Sequence, residues 1–138
     1  MKTGIRTAVA TITLSITAFG ATMASAADPI VGVWKTQPDR KDLISHIQIS
    51  DCSGKFCGVV LSAFDKSGKE VTTKNVGKKL FWDVASEGGG KYGGGTFWVP
   101  LMDVDTTPTM TLTGDSLKVQ GCDHLICGHQ VWTKLSDK

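Results

Sequence analysis

The chain has 138 residues, with 15 lysine and arginine residues against 13 aspartate and glutamate residues. Two of the basic residues, Lys2 and Arg6, lie in a predicted leader without acidic residues, so the remainder carries 13 basic residues against 13 acidic ones. A neutral domain without a lysine or arginine run argues against nucleic acids and anionic membranes as its main partners.

The first 26 residues have the three parts of a secretory signal peptide. A positively charged end is followed by a largely apolar run over residues 7–22, and Ala24-Ser25-Ala26 is a cleavage site of the A-x-A type. The apolar run is too short and too rich in Thr and Ser for a membrane-spanning helix of about 20 apolar residues. We therefore predict a periplasmic or secreted protein in which residues 27–138 form a single domain, with no membrane span.

After the leader, the chain consists of short β-rich runs separated by Gly, Pro, Asp and Ser, and it shows no helical periodicity. We predict eight strands, at residues 30–36, 43–52, 56–64, 79–85, 92–101, 109–113, 116–122 and 128–135. Eight short strands with short connections predict an all-β fold, a single antiparallel up-and-down barrel.

The cysteines occur in two copies of the pattern Cys-x4-Cys-Gly. An even number of cysteines in a small exported domain predicts disulfides, for which three pairings exist. A two-residue turn at Gly54-Lys55 would place Cys52 opposite Cys57 in a non-hydrogen-bonded pair, at about 4.5 Å between Cα atoms, a distance that a disulfide accepts. This geometry favours the local pairing, Cys52–Cys57 with Cys122–Cys127.

The hairpin over residues 110–119 specifies its own register. A turn at Gly114-Asp115 sorts its apolar residues onto one face, and a slip of one residue would destroy this sorting. A further turn at His124-Leu125 continues the same sheet. The predicted inner pairs are Leu112 with Leu117, Met110 with Val119, Trp132 with Leu117 and Gln130 with Val119, while Cys122 and Cys127 lie on the outer face.

Aromatic residues are the candidates for the barrel interior. Gly32-Val33-Trp34 opens the first strand, where Trp34 is expected to point inward with Ile30 and to close one end. The tryptophans either fill the core, since eight strands enclose a space just wide enough for side chains, or form the wall of a small apolar pocket. The candidate ligand-binding residues are Trp34, Tyr92, Trp98 and Trp132.

Two glycine triplets, at residues 88–90 and 93–95, flank Lys91-Tyr92. They indicate either a long flexible hairpin loop or a mobile lip over a binding site, with Tyr92 as its side chain. The spacing matches neither a Walker nor a Rossmann motif, which argues against a phosphate cradle.

Residues with catalytic or metal-binding potential are few. The stretch 122–129 is dense in Cys, Asp and His and would suit zinc if its cysteines were reduced, whereas oxidation would leave two ordinary histidines at a hairpin tip. Asp103 and Asp105 form either a carboxylate pair or a solvated strand end. There is no Gly-x-Ser-x-Gly motif and, once the disulfides form, no free cysteine. We predict no cofactor, no metal and no enzymatic activity.

Several pieces of the chain resemble the family known as domain of unknown function 2147, small exported proteins of Gram-negative bacteria. The matching pieces are Gly32-Val-Trp34 with Lys35-Thr36, residues 47–60, residues 117–122, residues 125–127 and residues 130–133. Lys134 stands where the family usually has Arg, and the family's Asn-Pro-Asp stretch is missing between residues 68 and 82. The resemblance implies export, a lipocalin-like fold and the binding of a small apolar ligand.

Three functions are compatible with these features. The first is an exported, non-enzymatic barrel that binds a small, mostly apolar ligand in the cell envelope. The second is a protein-binding module such as a periplasmic lysozyme-type inhibitor, because residues 85–92 and Phe97-Trp98 are loosely similar to a run in such inhibitors. The third is a structural envelope protein without a ligand.

Overall fold

The computed structural model describes Gly4, residues 20–21 and residues 25–138. Most of the predicted leader, residues 1–26, therefore lies outside the described residues. In residues 25–138 every regular element is a β-strand. The described part of the chain contains no helix with the length and apolarity needed to cross a membrane.

The strands form one antiparallel sheet that closes on itself. They are β1 Gly32–Lys35, β2 Ile44–Cys52, β3 Lys55–Phe64, β4 Glu70–Val71, β5 Lys79–Gly88, β6 Lys91–Gly93, β7 Thr96–Val99, β8 Val104–Thr113, β9 Ser116–Asp123 and β10 Ile126–Ser136. Strand β1 pairs with both β2 and β10, which joins the two ends of the sheet. Because β6 and β7 share one position between β5 and β8, and β4 only extends β3, the result is the predicted eight-stranded up-and-down barrel.

The predicted strand 92–101 is wrong in one respect, because it is interrupted. Gly94 and Gly95 adopt positive φ angles of 71° and 66° and separate β6 from β7. The interruption has a consequence on β8, because Pro108 lies between the residues that pair with β6 and those that pair with β7, opposite the break. No ladder bond is missing on that side of proline, so β8 continues through Pro108 and begins at Val104, earlier than the predicted strand 109–113.

The first hairpin differs from the prediction by one residue. Its turn residues are Ser53 and Gly54, with φ angles of 62° and 88°, and not Gly54-Lys55. Two successive positive φ angles are those of a type I′ turn, whose twist matches the twist of the flanking strands. As a result Cys52 lies opposite Lys55, and the Cys52–Cys57 disulfide joins diagonal positions with 5.9 Å between Cα atoms.

The other two hairpins have the predicted turns at Gly114-Asp115 and His124-Leu125. All the predicted inner pairs are present, which are Leu112 with Leu117, Met110 with Val119, Trp132 with Leu117 and Gln130 with Val119. Cys122 lies directly opposite Cys127, and the two form a disulfide. Both predicted disulfides are thus present, and such bonds indicate a protein of a non-cytoplasmic compartment.

The two ends of the barrel differ in their connections. One end, called the closed end below, holds the tight turns at residues 53–54, 89–90 and 114–115. The other, called the open end, holds the connections 36–43, 65–78, 100–103 and 124–125. One disulfide is therefore located at each end, Cys52–Cys57 at the closed end and Cys122–Cys127 at the open end.

Residues 28–30, the plug segment, cross the closed end and seal it. Their contacts are a bond from the Tyr92 hydroxyl to Asp28 Oδ1 (2.6 Å), one from Trp34 Nε1 to the Ile30 carbonyl (2.8 Å) and one from Lys134 Nζ to the Pro29 carbonyl (2.8 Å). Tyr92 and Trp34 belong to strands on opposite sides of the barrel, so the segment bridges its full width. As expected, Trp34 and Ile30 point inward, and neither has exposed surface.

Candidate ligand cavity

A cavity of about 620 Å³ opens at the open end of the barrel. Its inner wall is formed by large apolar side chains from six strands, Ile47, Val60, Leu80, Phe97, Val119 and Trp132. Each of these residues occupies an inward position of an alternating strand, which is why polar neighbours such as Lys118 face solvent. The volume lies within the range of about 300–1,000 Å³ that is typical of small-molecule sites.

The cavity exists because inward-facing residues become smaller toward the open end. Around the closed end the interior holds Trp34, Phe56, Phe81 and Tyr92, all buried. Toward the open end the corresponding positions hold Ser45, Thr106 and Gly121. Gly121 pairs with Gly128, so neither strand contributes a side chain at this level. The same barrel is therefore filled at one end and hollow at the other.

Neutral groups supply the polarity inside the cavity. The Thr106 hydroxyl lies 3.3 Å from the Phe97 carbonyl and donates to it. Gln130 Oε1 accepts a bond of 2.9 Å from Trp132 Nε1, which satisfies the indole on the cavity wall. The acidic and basic lining residues, Asp39, Arg40 and Asp123, come from the mouth. Burying a charge without a partner is costly, so this arrangement suits a ligand with an apolar body whose polar group stays at the mouth.

The structure does not bring the four candidate binding residues together. Trp132 lines the cavity, whereas Trp34 and Tyr92 are buried against the plug segment and do not line it. Trp98 lies half-buried on the outer wall, where its Nε1 donates to Asp103 Oδ1 at 2.8 Å. Of these four side chains, Trp132 alone is placed to contact a ligand in the cavity.

The interrupted strand explains why Phe97, and not the predicted Trp98, lines the cavity. In an unbroken strand Tyr92 and Trp98 would share a face, since they are an even number of residues apart. The break at Gly94 and Gly95 shifts the alternation by one residue, so Phe97 faces the cavity and Trp98 does not. The two glycine triplets at this place are the sequence signal for such a break.

Tyr92 is a core residue of the closed end. Its ring is 3% exposed and meets Phe56 edge to face at 5.7 Å between centroids. The run that resembled lysozyme-type inhibitors therefore does not present Tyr92 on the surface. Burial, together with the hydrogen bond and charge of Asp28, raises the pKa of the Tyr92 hydroxyl far above its usual value.

Tyr92→Phe is expected to lower the free energy of unfolding by about 1.5–3 kcal/mol at neutral pH, because it removes a hydrogen bond to a carboxylate. The folded-state pKa of Tyr92 is higher than that of the unfolded chain, so this stabilisation is complete below about pH 10 and declines at higher pH. Urea denaturation of both proteins at pH 8 and at pH 10.5 measures the difference. A double-mutant cycle with Asp28→Asn is the control, and a coupling energy of zero would contradict the assignment.

The residues considered for metal binding or catalysis do not form a site in the described chain. The sulfurs of Cys122 and Cys127 are bonded to each other, and His124 projects into solvent at the hairpin tip. Among the described residues, no group of three His, Cys, Asp or Glu side chains is placed to hold a metal ion. Asp103 is engaged by Trp98, and Asp105 is exposed in β8.

Comparison with known proteins gives one family match and one structural match. A family model described as "Uncharacterized protein conserved in bacteria (DUF2147)" matches residues 32–134. No curated protein matches the chain at a significant level. A solved structure described as "Protein HP1028 from the human pathogen Helicobacter pylori belongs to the lipocalin family" is similar, with a TM-score of 0.62 and 18% identity over 78% of this chain and 84% of that one. At this identity the likeness bears on the fold alone, which is lipocalin-like.

Proposed function

The chain belongs to the DUF2147 family, and from this premise we propose that its lipocalin-like barrel binds a small, mostly apolar molecule without transforming it. The observation that carries the proposal is the cavity at the open end, with an apolar inner wall and charged groups only at its mouth. We further propose that residues 1–26 direct the protein to the periplasm or the exterior, a location that the two disulfides support.

The shape of the cavity narrows the class of ligand. A volume of about 620 Å³ accommodates a molecule the size of a short single-chain lipid or a small polycyclic compound, and not a folded peptide segment. The wall residues Trp132 and Phe97 offer two aromatic faces, 6.4 Å apart between ring centroids, against which an apolar body packs. The mouth carries two carboxylates, Asp39 and Asp123, and one guanidinium, Arg40, so it suits an uncharged polar end.

The experiment is a fluorescence titration of the protein with N-phenyl-1-naphthylamine, an apolar probe whose emission rises outside water. We expect saturable binding of one probe per chain. Ser45→Phe should weaken that binding at least about tenfold, equivalent to about 1.4 kcal/mol, because the new ring occupies the cavity.

The matched control is Ser62→Phe, which adds the same ring on the outward face of the neighbouring strand, opposite His46. This variant should bind the probe within about twofold of the unmodified protein, and thermal unfolding should show that both variants are folded. Binding that does not saturate, or that Ser45→Phe leaves unchanged, would refute a ligand site in the cavity.

A further inference from the structure

The mouth of the cavity carries a patch of exposed apolar side chains, called the rim patch below. It consists of Leu101, Met102, Leu125 and Ile126. Leu125 is 99% exposed and Ile126 is 77% exposed, whereas Leu101 and Met102 are each about half exposed. Exposing so much apolar surface in one place is unfavourable in water, and such patches commonly mark interaction sites.

Three of the four residues lie in two neighbouring connections, and Ile126 is the first residue of β10. Leu101 and Met102 belong to connection 100–103, which leads into β8, and Leu125 is at the tip between β9 and β10. Strands β8 and β9 are neighbours whose pairing runs to Thr107 and Cys122, and both connections border the same cavity mouth. Three of the four patch residues, all but Leu125, also line the cavity, which makes the patch continuous with the apolar interior.

Both connections are held in the conformation that displays these side chains. The amide of Asp103 donates to the Val99 carbonyl at 2.9 Å, and the Asp103 carboxylate accepts a bond from Trp98. The Cys122–Cys127 disulfide closes the hairpin just below Leu125. The apolar tips are therefore carried on two connections whose backbones are held in place by these bonds.

We propose that the rim patch docks on the surface of a lipid bilayer, with its apolar tips inserted at the boundary between headgroups and acyl chains. A second copy of the chain is the less suitable occupant, because the rim patch has only four apolar residues. A stable protein–protein interface of standard size uses about 20–30 residues on each side. Insertion of a few apolar side chains needs no such area. Docking on the bilayer does not require a ligand in the cavity. If the cavity binds a ligand as proposed above, docking would also allow the ligand to pass directly between the bilayer and the cavity, and this step rests on the proposed function.

The segments that carry the patch contain no basic residue to attract an anionic lipid surface, and the nearest basic residue of the mouth, Arg40, belongs to connection 36–43. Residues 100–103 and 123–126 carry two carboxylates, Asp103 and Asp123, and neither lysine nor arginine. Anionic headgroups attract basic segments, and this patch offers none. The docking is thus driven by apolar insertion, and its strength should depend little on salt.

The test is flotation of the protein with phosphatidylcholine vesicles at physiological ionic strength. The protein is expressed from the full-length sequence in a host that exports it, and it is purified without further processing. All variants then share the same N-terminus. We expect the double variant Leu125→Gln and Ile126→Gln to reduce the partition coefficient at least about tenfold. The matched control is Leu61→Gln with Leu135→Gln, which removes two exposed leucines elsewhere on the barrel and should change partition less than twofold.

Four outcomes would overturn docking by the rim patch. The first is that the unmodified protein does not float, and the second is that the rim and control variants lose the same share of vesicle binding. The third is that the protein binds only to vesicles that contain phosphatidylglycerol, and only at low salt. The fourth is that sedimentation velocity shows a dimer that the rim variant converts to a monomer. The Ser45→Phe variant separates the two proposals. It should still float with vesicles even if the cavity binds no probe, because it leaves the rim patch intact.

Discussion

Trp34→Ala should lower the free energy of unfolding by about 3–5 kcal/mol, the range expected when a large aromatic side chain is removed from a core. Trp34 has no exposed surface, and its Nε1 bonds to the Ile30 carbonyl of the plug segment. Lys134 Nζ also lies 5.5 Å from the centre of its ring. The substitution removes the packing, the hydrogen bond and the cation–π contact together, and urea denaturation measures the loss.

Trp98→Ala is the matched control for this prediction, because the same side chain is removed from a half-buried position on the outer wall. Its loss should be about 1 kcal/mol, since its indole N–H bonds to an exposed carboxylate and the site stays open to water. Should Trp34→Ala fail to fold, Trp34→Phe keeps most of the packing and remains measurable. Equal losses for the two alanine variants would show that Trp34 does not seal the closed end.

Gly95→Ala should destabilise the barrel by about 2–5 kcal/mol for two separate reasons. Its φ angle of +66° lies in the left-handed region, which costs an L-residue about 1–2 kcal/mol. A Cβ at this position would also lie close to the carbonyl of Trp82 and the backbone of Asp83, and overpacking of this kind adds about 1–3 kcal/mol. Thermal or urea unfolding of the purified variant measures the sum.

Gly94→Ala separates the two reasons. The neighbouring glycine has a similar φ angle of +71°, but a Cβ there meets nothing within 4 Å. It should cost only the backbone part, about 1–2 kcal/mol. If both variants lose the same amount of unfolding free energy, the close approach of Gly95 to Trp82 and Asp83 is incorrect.

The parts of the fold that could be predicted are those that neighbouring residues decide. The registers around Leu117 and Trp132 follow from alternating apolar residues and two short turns, and the structure has these registers. The first hairpin was misplaced by one residue because Gly54 suits more than one turn position, and the positive φ angle of Ser53 leaves no clear mark in the sequence. The Cys52–Cys57 bond formed regardless, since diagonal positions also bring two cysteines within reach.

The candidate site was predicted less well, because it depends on residues that are distant in sequence. Trp132 was identified from its register, and it lines the cavity. Tyr92 looked like a loop residue between two glycine triplets, yet its hydroxyl bonds to Asp28, 64 residues away. No local sequence pattern predicts the plug segment, because its three hydrogen-bond partners come from three different strands.

Local chemistry thus specified most of the strands, the alternation of their faces and the disulfide partners, because turns and alternation act over a few residues, whereas closure depends on pairs distant in sequence such as Trp34 with Lys134. The tertiary structure alone determines at which levels side chains fill the barrel interior and at which levels a cavity remains. That outcome depends on which residues meet at one level, such as Gly121 with Gly128 toward the mouth and Trp34 with the plug segment at the other end. It also depends on the break at Gly94 and Gly95, which reverses the facing of Phe97 and Trp98.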